Sequence, residues 1–199
     1  MIEKLPTFKQ LLILLQQVPY LASKNLYRVA THFLDMDQQK FEQFCRILIE
    51  AKKNLEKCSI CFAWKEKQHE CLFCSDLKRN AAIICVVETW QDLLAIEKTS
   101  GYKGGYHVLG GSICPLEGVG PEHLSILPLV KRAQSGVQEV ILALNQTSEG
   151  EATAAYIAQK LSSTSVKITC LAQGVPVGSS LEFMDRLTVF KALSDRRPF

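Results

Sequence analysis

Between residues 7 and 55 the apolar positions recur at three- and four-residue steps. They are Phe8, Leu11, Leu12 and Leu15, then Leu26, Val29, Ala30 and Phe33, then Phe41, Phe44, Cys45 and Leu48. This spacing places one apolar stripe on each of three short amphipathic helices. Val18-Pro19-Tyr20 interrupts the first pair and predicts a tight turn, and Asp35-Met36-Asp37 separates the second helix from the third. Beyond residue 80 the period changes. Ala82 to Val87, Tyr106 to Leu109, Val137 to Leu144 and Val166 to Leu171 are short β-rich runs, with helical stretches near 89 to 98, 121 to 134 and 149 to 161 between them. Strands and helices in alternation predict βαβ units and a mainly parallel sheet covered on both faces. Thr89 is placed to cap the helix after Glu88. Ser148 followed by Glu151 reads as a capping box, with Glu149 in the first turn where the helix dipole favours an anion. The glycine-rich segments 101 to 111 and 174 to 180 are the expected functional loops, because ligands meet such sheets at strand ends.

Between the two patterns lies CSICFAWKEKQHECLFC, residues 58 to 74. A Cys-x-x-Cys turn brings two thiolates to adjacent corners of one metal, and a second such turn completes a tetrahedron. Cys58, Cys61, Cys71 and Cys74 therefore predict an all-cysteine site with no open position, which suits a structural Zn²⁺ and leaves no place for an activated water. An iron-sulfur cluster would accept the same four thiolates. A redox role fits less well, since the motif follows helices rather than a strand. His69 is expected on the surface of the intervening loop.

With 199 residues, 47% apolar and 22% charged, the chain can bury a sizeable core. Its longest apolar runs, LLILL at 11 to 15 and AAIICVV at 81 to 87, fall short of the about 20 residues that span a bilayer. Lys4 precedes the first run without a small-residue cleavage site after it, so the expectation is a cytoplasmic protein without membrane contact. The other cysteines, Cys45, Cys85, Cys114 and Cys170, sit in apolar contexts and are expected as small buried hydrophobes. Charge is uneven: residues 1 to 80 carry 13 basic and 9 acidic groups, and the remainder carries 10 and 11. The N-terminal part is thus the better face for a polyanion. Within it, Lys24 and Arg28 lie four apart and share one helix face just after the tight turn. That is how a helix-hairpin-helix holds a nucleic-acid backbone.

Glu88 ends one strand, and Glu149 and Glu151 follow another. Carboxylates gathered at neighbouring strand tips could hold Mg²⁺ for phosphoryl chemistry. Asn145, Gln146 and Thr147 occupy the second tip instead.

A helical hairpin, a four-cysteine site and an α/β domain opening with IICVVE resemble, in that order, the RecR family of bacterial recombination mediators. The resemblance continues through DLLAIEKTSGYKGGYHVLGGSICPLEGVGPEHL (92 to 124), VILALNQTSEGEATAAYIA (140 to 158) and LAQGVPVGSSLEF (171 to 183). It implies an α+β, multidomain chain: a helix-hairpin-helix region at 1 to 55, a zinc finger at 56 to 78, a Toprim domain at 79 to 175 and a subunit-contact segment at 176 to 199. It further implies a non-enzymatic bacterial protein that assembles as a ring-shaped tetramer, binds DNA, and works with RecO and RecF to load RecA on gapped or single-stranded DNA. Lys24 and Arg28 match the family's DNA-facing basic pair. Glu88, Glu149 and Glu151 match its Toprim carboxylates, a surface implicated in partner contact. Catalytic Toprim domains carry Asp-x-Asp where this chain has Asn145 and Thr147, which implies a catalytically silent domain; a Toprim-type Mg-dependent nuclease or phosphotransferase is the alternative reading. The C-terminal spacing of Leu187, Phe190 and Leu193 fits a subunit contact. There is one departure. The family's hairpin usually reads Gly-Val-Gly-Pro, and here Tyr20, Leu21, Ala22 and Ser23 precede the lysine. Loss of both glycines is expected to shift DNA binding from backbone amides onto the two basic side chains.

Overall fold

The computed structural model describes residues 5–172, 174–176 and 178–196. Lys4, Gln173, Val177 and Arg197, which figure in the sequence reading, lie outside them. The chain divides into two compact units, residues 1–54 and 55–199.

The first unit holds α1 (Pro6–Gln16), α2 (Ser23–Asp35) and α3 (Gln38–Asn54). Pro6 starts α1 at a position where a missing N–H costs nothing. Leu12, Leu26 and Ala30 are its only buried hydrophobic residues among those described, flanked by half-buried Phe8, Leu11, Leu15 and Leu21. The third helix is not short: at 17 residues it is the longest among the described residues, and none of them is buried.

The second unit opens with a small antiparallel ribbon, β1 (Leu55–Lys57) and β2 (Trp64–Glu66). It continues as β3 (Asn80–Val87), α4 (Trp90–Lys98), β4 (Gly104–Val108), α5 (Ile126–Ala133), β5 (Glu139–Leu142), α6 (Ser148–Leu161), β6 (Lys167–Cys170) and α7 (Arg186–Ser194). The four main strands form one parallel sheet in the order β4-β3-β5-β6. Within the predicted 121 to 134 stretch, helix proper covers only Ile126–Ala133, after a 3-10 turn at Pro121–His123.

Side chains alternate across the sheet and so build two cores. Ile84 and Val86 of β3 join Val140, Leu142, Leu129, Ile157 and Leu161 on the face covered by α5 and α6. Cys85 and Val87 join Leu93, Tyr106 and Val108 on the other face, with Cys58, Cys61, Ala63 and Cys71 of the ribbon in the same cluster. Each fully buried Val, Leu or Ile among them contributes about 1.5–3 kcal/mol relative to exposure. The cysteine ribbon is thus a covering layer of the sheet.

Arg79 locks that layer in place. Its guanidinium donates to both oxygens of Glu97 at 2.9 and 2.7 Å and lies over the rings of Phe73 and Tyr106, 5.3 and 5.6 Å from their centroids. It also donates to the Gly104 carbonyl at 3.2 Å. Along the same outer edge of β4, Arg132 donates to the Tyr106 carbonyl (2.6 Å) and Ser125 Oγ to the Val108 carbonyl (2.8 Å), while the Val108 amide donates to the Cys61 carbonyl (2.8 Å). An edge strand normally offers these groups to another strand. Here side chains and the ribbon have taken them.

Of the remaining cysteines only Cys85 is buried. Cys45 and Cys114 are half-buried and Cys170 is exposed, because β6 is the sheet's edge and its last residue leaves the core. Among the described residues, no helix is long and apolar enough to cross a membrane.

Candidate metal centre, hairpin and strand-tip carboxylates

The four sulfur atoms of Cys58, Cys61, Cys71 and Cys74 lie within 4.8 Å of one another. Cys61 and Cys71 are separated by 3.4 Å and Cys58 and Cys74 by 3.9 Å. Corners of a tetrahedron with metal–sulfur bonds of about 2.3 Å stand about 3.8 Å apart, so the four residues present fit a metal. Local structure explains the gathering. The first cysteine pair occupies the turn of the β1–β2 ribbon, where the Cys58 amide donates to the Ala63 carbonyl, the Phe62 amide donates back to Cys58, and Phe62 takes a positive φ of 61°. The Ile60 amide points at Cys58 Sγ (3.4 Å), a contact that favours thiolate. In the second turn the amides of Cys74 and Ser75 both donate to the Cys71 carbonyl. Lys65 pins the loop between the turns through the carbonyls of Glu66, Lys67 and His69. His69 itself is exposed and outside the sulfur cluster.

The electrostatics favour a bound cation. The hydrogen bond with Cys74 and burial push the Cys61 thiol far up, and burial pushes Cys71 up to about 11. The buried Cys61 and Cys71 sulfurs therefore prefer to stay protonated when no positive charge is near, whereas a divalent cation reverses that balance and releases protons as it binds.

Lys24 and Arg28 lie on the exposed face of α2, and among the described residues neither has a carboxylate partner. Ala22 gives the helix no side-chain cap. The turn before it is built without glycine. Leu21 N donates to Val18 O at 3.3 Å, with Pro19 in the second position and Tyr20 in the third at φ 64°, the signature of a type II turn. Tyrosine there costs on the order of 1 kcal/mol that glycine would not.

At the sheet's C-terminal end the connections from β3 and β5 leave in opposite directions, which opens a crevice between the two strand tips. Glu88 sits in it and is 6% exposed. It is not a free surface carboxylate: Asn145 donates its backbone N–H to Oε1 at 2.7 Å and its side-chain Nδ2 to Oε2 at 2.9 Å. Gly150, in the first turn of α6, closes over the pair. A Cβ there would come within 2.1 Å of the Asn145 carbonyl oxygen and 2.9 Å of Glu88 Oε1. Glu149 and Glu151 do reach the surface, and Glu151 pairs with Lys191 of α7. The α6 cap is Thr147, whose hydroxyl accepts from Gly150 N at 3.1 Å, one residue earlier than a Ser148–Glu151 box would place it. The box fails because Ser148 is already the first helical residue and the Glu151 amide donates to the Thr147 carbonyl at 2.9 Å. Thr89 caps α4 as expected, in a complete box with Asp92.

Residues 82–172 match the Toprim domain model, and 174–197 match the model for the C-terminal part of RecR. Recombination protein RecR of Staphylococcus aureus (strain JH9) is 42% identical over 181 residues, covering 90% of this chain and 91% of that protein. The chain belongs to the RecR family. Its RecR fold is therefore a set of N-terminal helices, a four-cysteine cluster compatible with a metal, and a parallel-sheet Toprim body. The sequence marks Asn145 as standing where catalytic relatives carry aspartate, but not what its side chain holds. Its meaning lies in the buried glutamate it faces, 57 residues away in sequence. Arg79, Gly150 and the strained Tyr20 are likewise visible only once the chain is folded.

Proposed function

We propose that this chain is a DNA-binding recombination mediator without catalytic activity. It works with RecO and RecF in the bacterial cytoplasm to load RecA on gapped or single-stranded DNA, and it does so as a ring-shaped homotetramer. The similarity to recombination protein RecR across nine-tenths of both chains carries this reading. Lys24 and Arg28 hold the DNA backbone, supported by their exposure, their lack of carboxylate partners among the described residues and the uncapped helix start beside them. Zn²⁺ held by Cys58, Cys61, Cys71 and Cys74 is structural. With four thiolates engaged it keeps no open position, and it would fix the ribbon against the sheet. Glu149 and Glu151 form the partner-facing surface, whereas Glu88 serves by bracing the strand tips.

The absence of catalysis is supported by the Glu88–Asn145 pair. An aspartate at 145 would set two carboxylates against each other and call for a metal between them. Asparagine instead satisfies Glu88 with two donors. Purified protein with Mg²⁺ and labelled DNA is expected to yield no EDTA-sensitive cleavage; cleavage that copurifies with the chain would establish the nuclease reading. Removing both charges, Lys24→Ala with Arg28→Ala, is expected to abolish DNA binding at unchanged thermal stability. Wild-type affinity should fall steeply between 50 and 200 mM salt, on the general behaviour of phosphate contacts. A double variant that binds as tightly as the parent would remove the hairpin from the account.

A further inference from the structure

Tyr20 stands at the tip of the α1–α2 turn, is 105% exposed and holds φ at 64°. Nothing in the turn demands an aromatic. Its third position asks for glycine or asparagine, and a β-turn built on Pro19 closes equally well with either. Among the described residues the Tyr20 ring touches no other ring, although neighbouring Phe8 and Tyr27 pack on each other at 6.4 Å. A strained backbone that carries a wholly solvated aromatic is retained most readily where the ring has work outside the fold. Four residues further on is Lys24, and one turn beyond that Arg28, both exposed. A flat apolar face and two cations are therefore presented together within nine residues of chain.

We propose that Tyr20 is a base-stacking platform that makes the hairpin a reader of single-stranded DNA. The cations hold the backbone and the phenol ring takes the face of an unpaired base. Every base has such a face, so the contact is indifferent to sequence. In a duplex the base faces are already stacked, so the gain arises only where a strand is unpaired, as in a gap. This rests on the assignment of Lys24 and Arg28 as the phosphate-binding pair, and it adds the class of DNA that the pair prefers.

Full-length protein, Tyr20→Gly, Tyr20→Phe and the Lys24→Ala, Arg28→Ala double variant would be titrated by anisotropy against labelled oligo-dT and a duplex of equal length. An oligonucleotide containing 2-aminopurine would report stacking through quenching. Glycine keeps and relaxes the turn, so the fold is preserved. Tyr20→Gly is expected to lose roughly tenfold on the single strand, keep its duplex affinity within about twofold, and abolish the quenching that wild type and Tyr20→Phe show. Unchanged single-strand affinity in Tyr20→Gly, with wild type binding well, overturns the stacking role and leaves the basic pair standing. Failure of wild type to bind either DNA overturns both. Equal losses on both DNAs accompanied by a fall in assembled mass would identify the tip as a subunit contact and overturn the stacking role as well.

Discussion

The two units of this chain solve burial in opposite ways. The Toprim body and its ribbon enclose two extensive cores on either side of one sheet. The helical unit encloses three of its described residues and leaves Ile13, Leu14, Leu34, Phe44, Ile47, Leu48 and Ile49 exposed at 45% or more. One unit is held by its own cores, with Leu181, Phe183, Leu187, Phe190 and Leu193 near its C-terminal end still exposed, and the other displays apolar surface over most of its length. In a chain proposed to act as a ring, the helical unit is where further copies of the chain would be expected to complete it.

The largest effect should come from the ribbon. Cys61→Ser, at a wholly buried position of the proposed metal site, is expected to eliminate stoichiometric metal and to cost on the order of 5 kcal/mol or more, since metal binding and folding are one equilibrium in such sites. Metal analysis with amide exchange would follow this. Loss of protection confined to residues 55–199 keeps the contrast between the units, and equal loss in 1–54 breaks it.

The sequence exposed this ribbon because ligand chemistry is local: four cysteines at fixed spacing imply one site whatever surrounds them. Alternation of strands and helices was legible for the same reason, through periodicity in short windows. Glu88 was not. A carboxylate at a strand end reads as surface until β5, 57 residues later, brings Asn145 against it. Cys170 misled in the opposite direction, its apolar neighbours being real but its strand an edge. The turn at Tyr20 shows a third kind of limit, for missing glycines predict weaker backbone contact with DNA, while the backbone adopts the glycine conformation with tyrosine in place.

A smaller effect should appear on acidification. His107 is buried, its Nε2 facing the Ser125 carbonyl and hydroxyl at 2.9 Å, and desolvation pushes its pKa down to about 4. Its ordinary value is about 6.5. Between these values the unfolded chain takes up a proton that the folded chain refuses. The associated stability is complete above pH 6.5 and is lost as pH falls toward 4, by about 2–3 kcal/mol. Denaturation midpoints at pH 7 and 4.5 would show the loss in wild type and a flatter profile in His107→Phe. An equal acid loss in both proteins would assign it to the carboxylates, among them Glu97, which its hydrogen bond with Arg79 holds below the usual range.

The smallest change in fold stability should come from α3. Ile49→Ser, at a residue 69% exposed, is expected to alter the stability of the dissociated chain by no more than about 0.5 kcal/mol. Assembled mass by light scattering should nevertheless fall, since none of the residues of α3 is buried within its own unit. Unchanged mass would mean that the helical unit is solvated as it stands, and the contrast between the two units would then be one of surface composition alone.

The sealed rim of β4 also limits how the sheet can grow. With its outward carbonyls held by Arg79, Arg132 and Ser125, strand addition is open only at β6. Two chains joined through β6 would form a continuous sheet ending in two blocked rims, so a third would find no edge to extend. If the proposed ring forms, the same blocked rim bars it from polymerising into a fibre through this sheet.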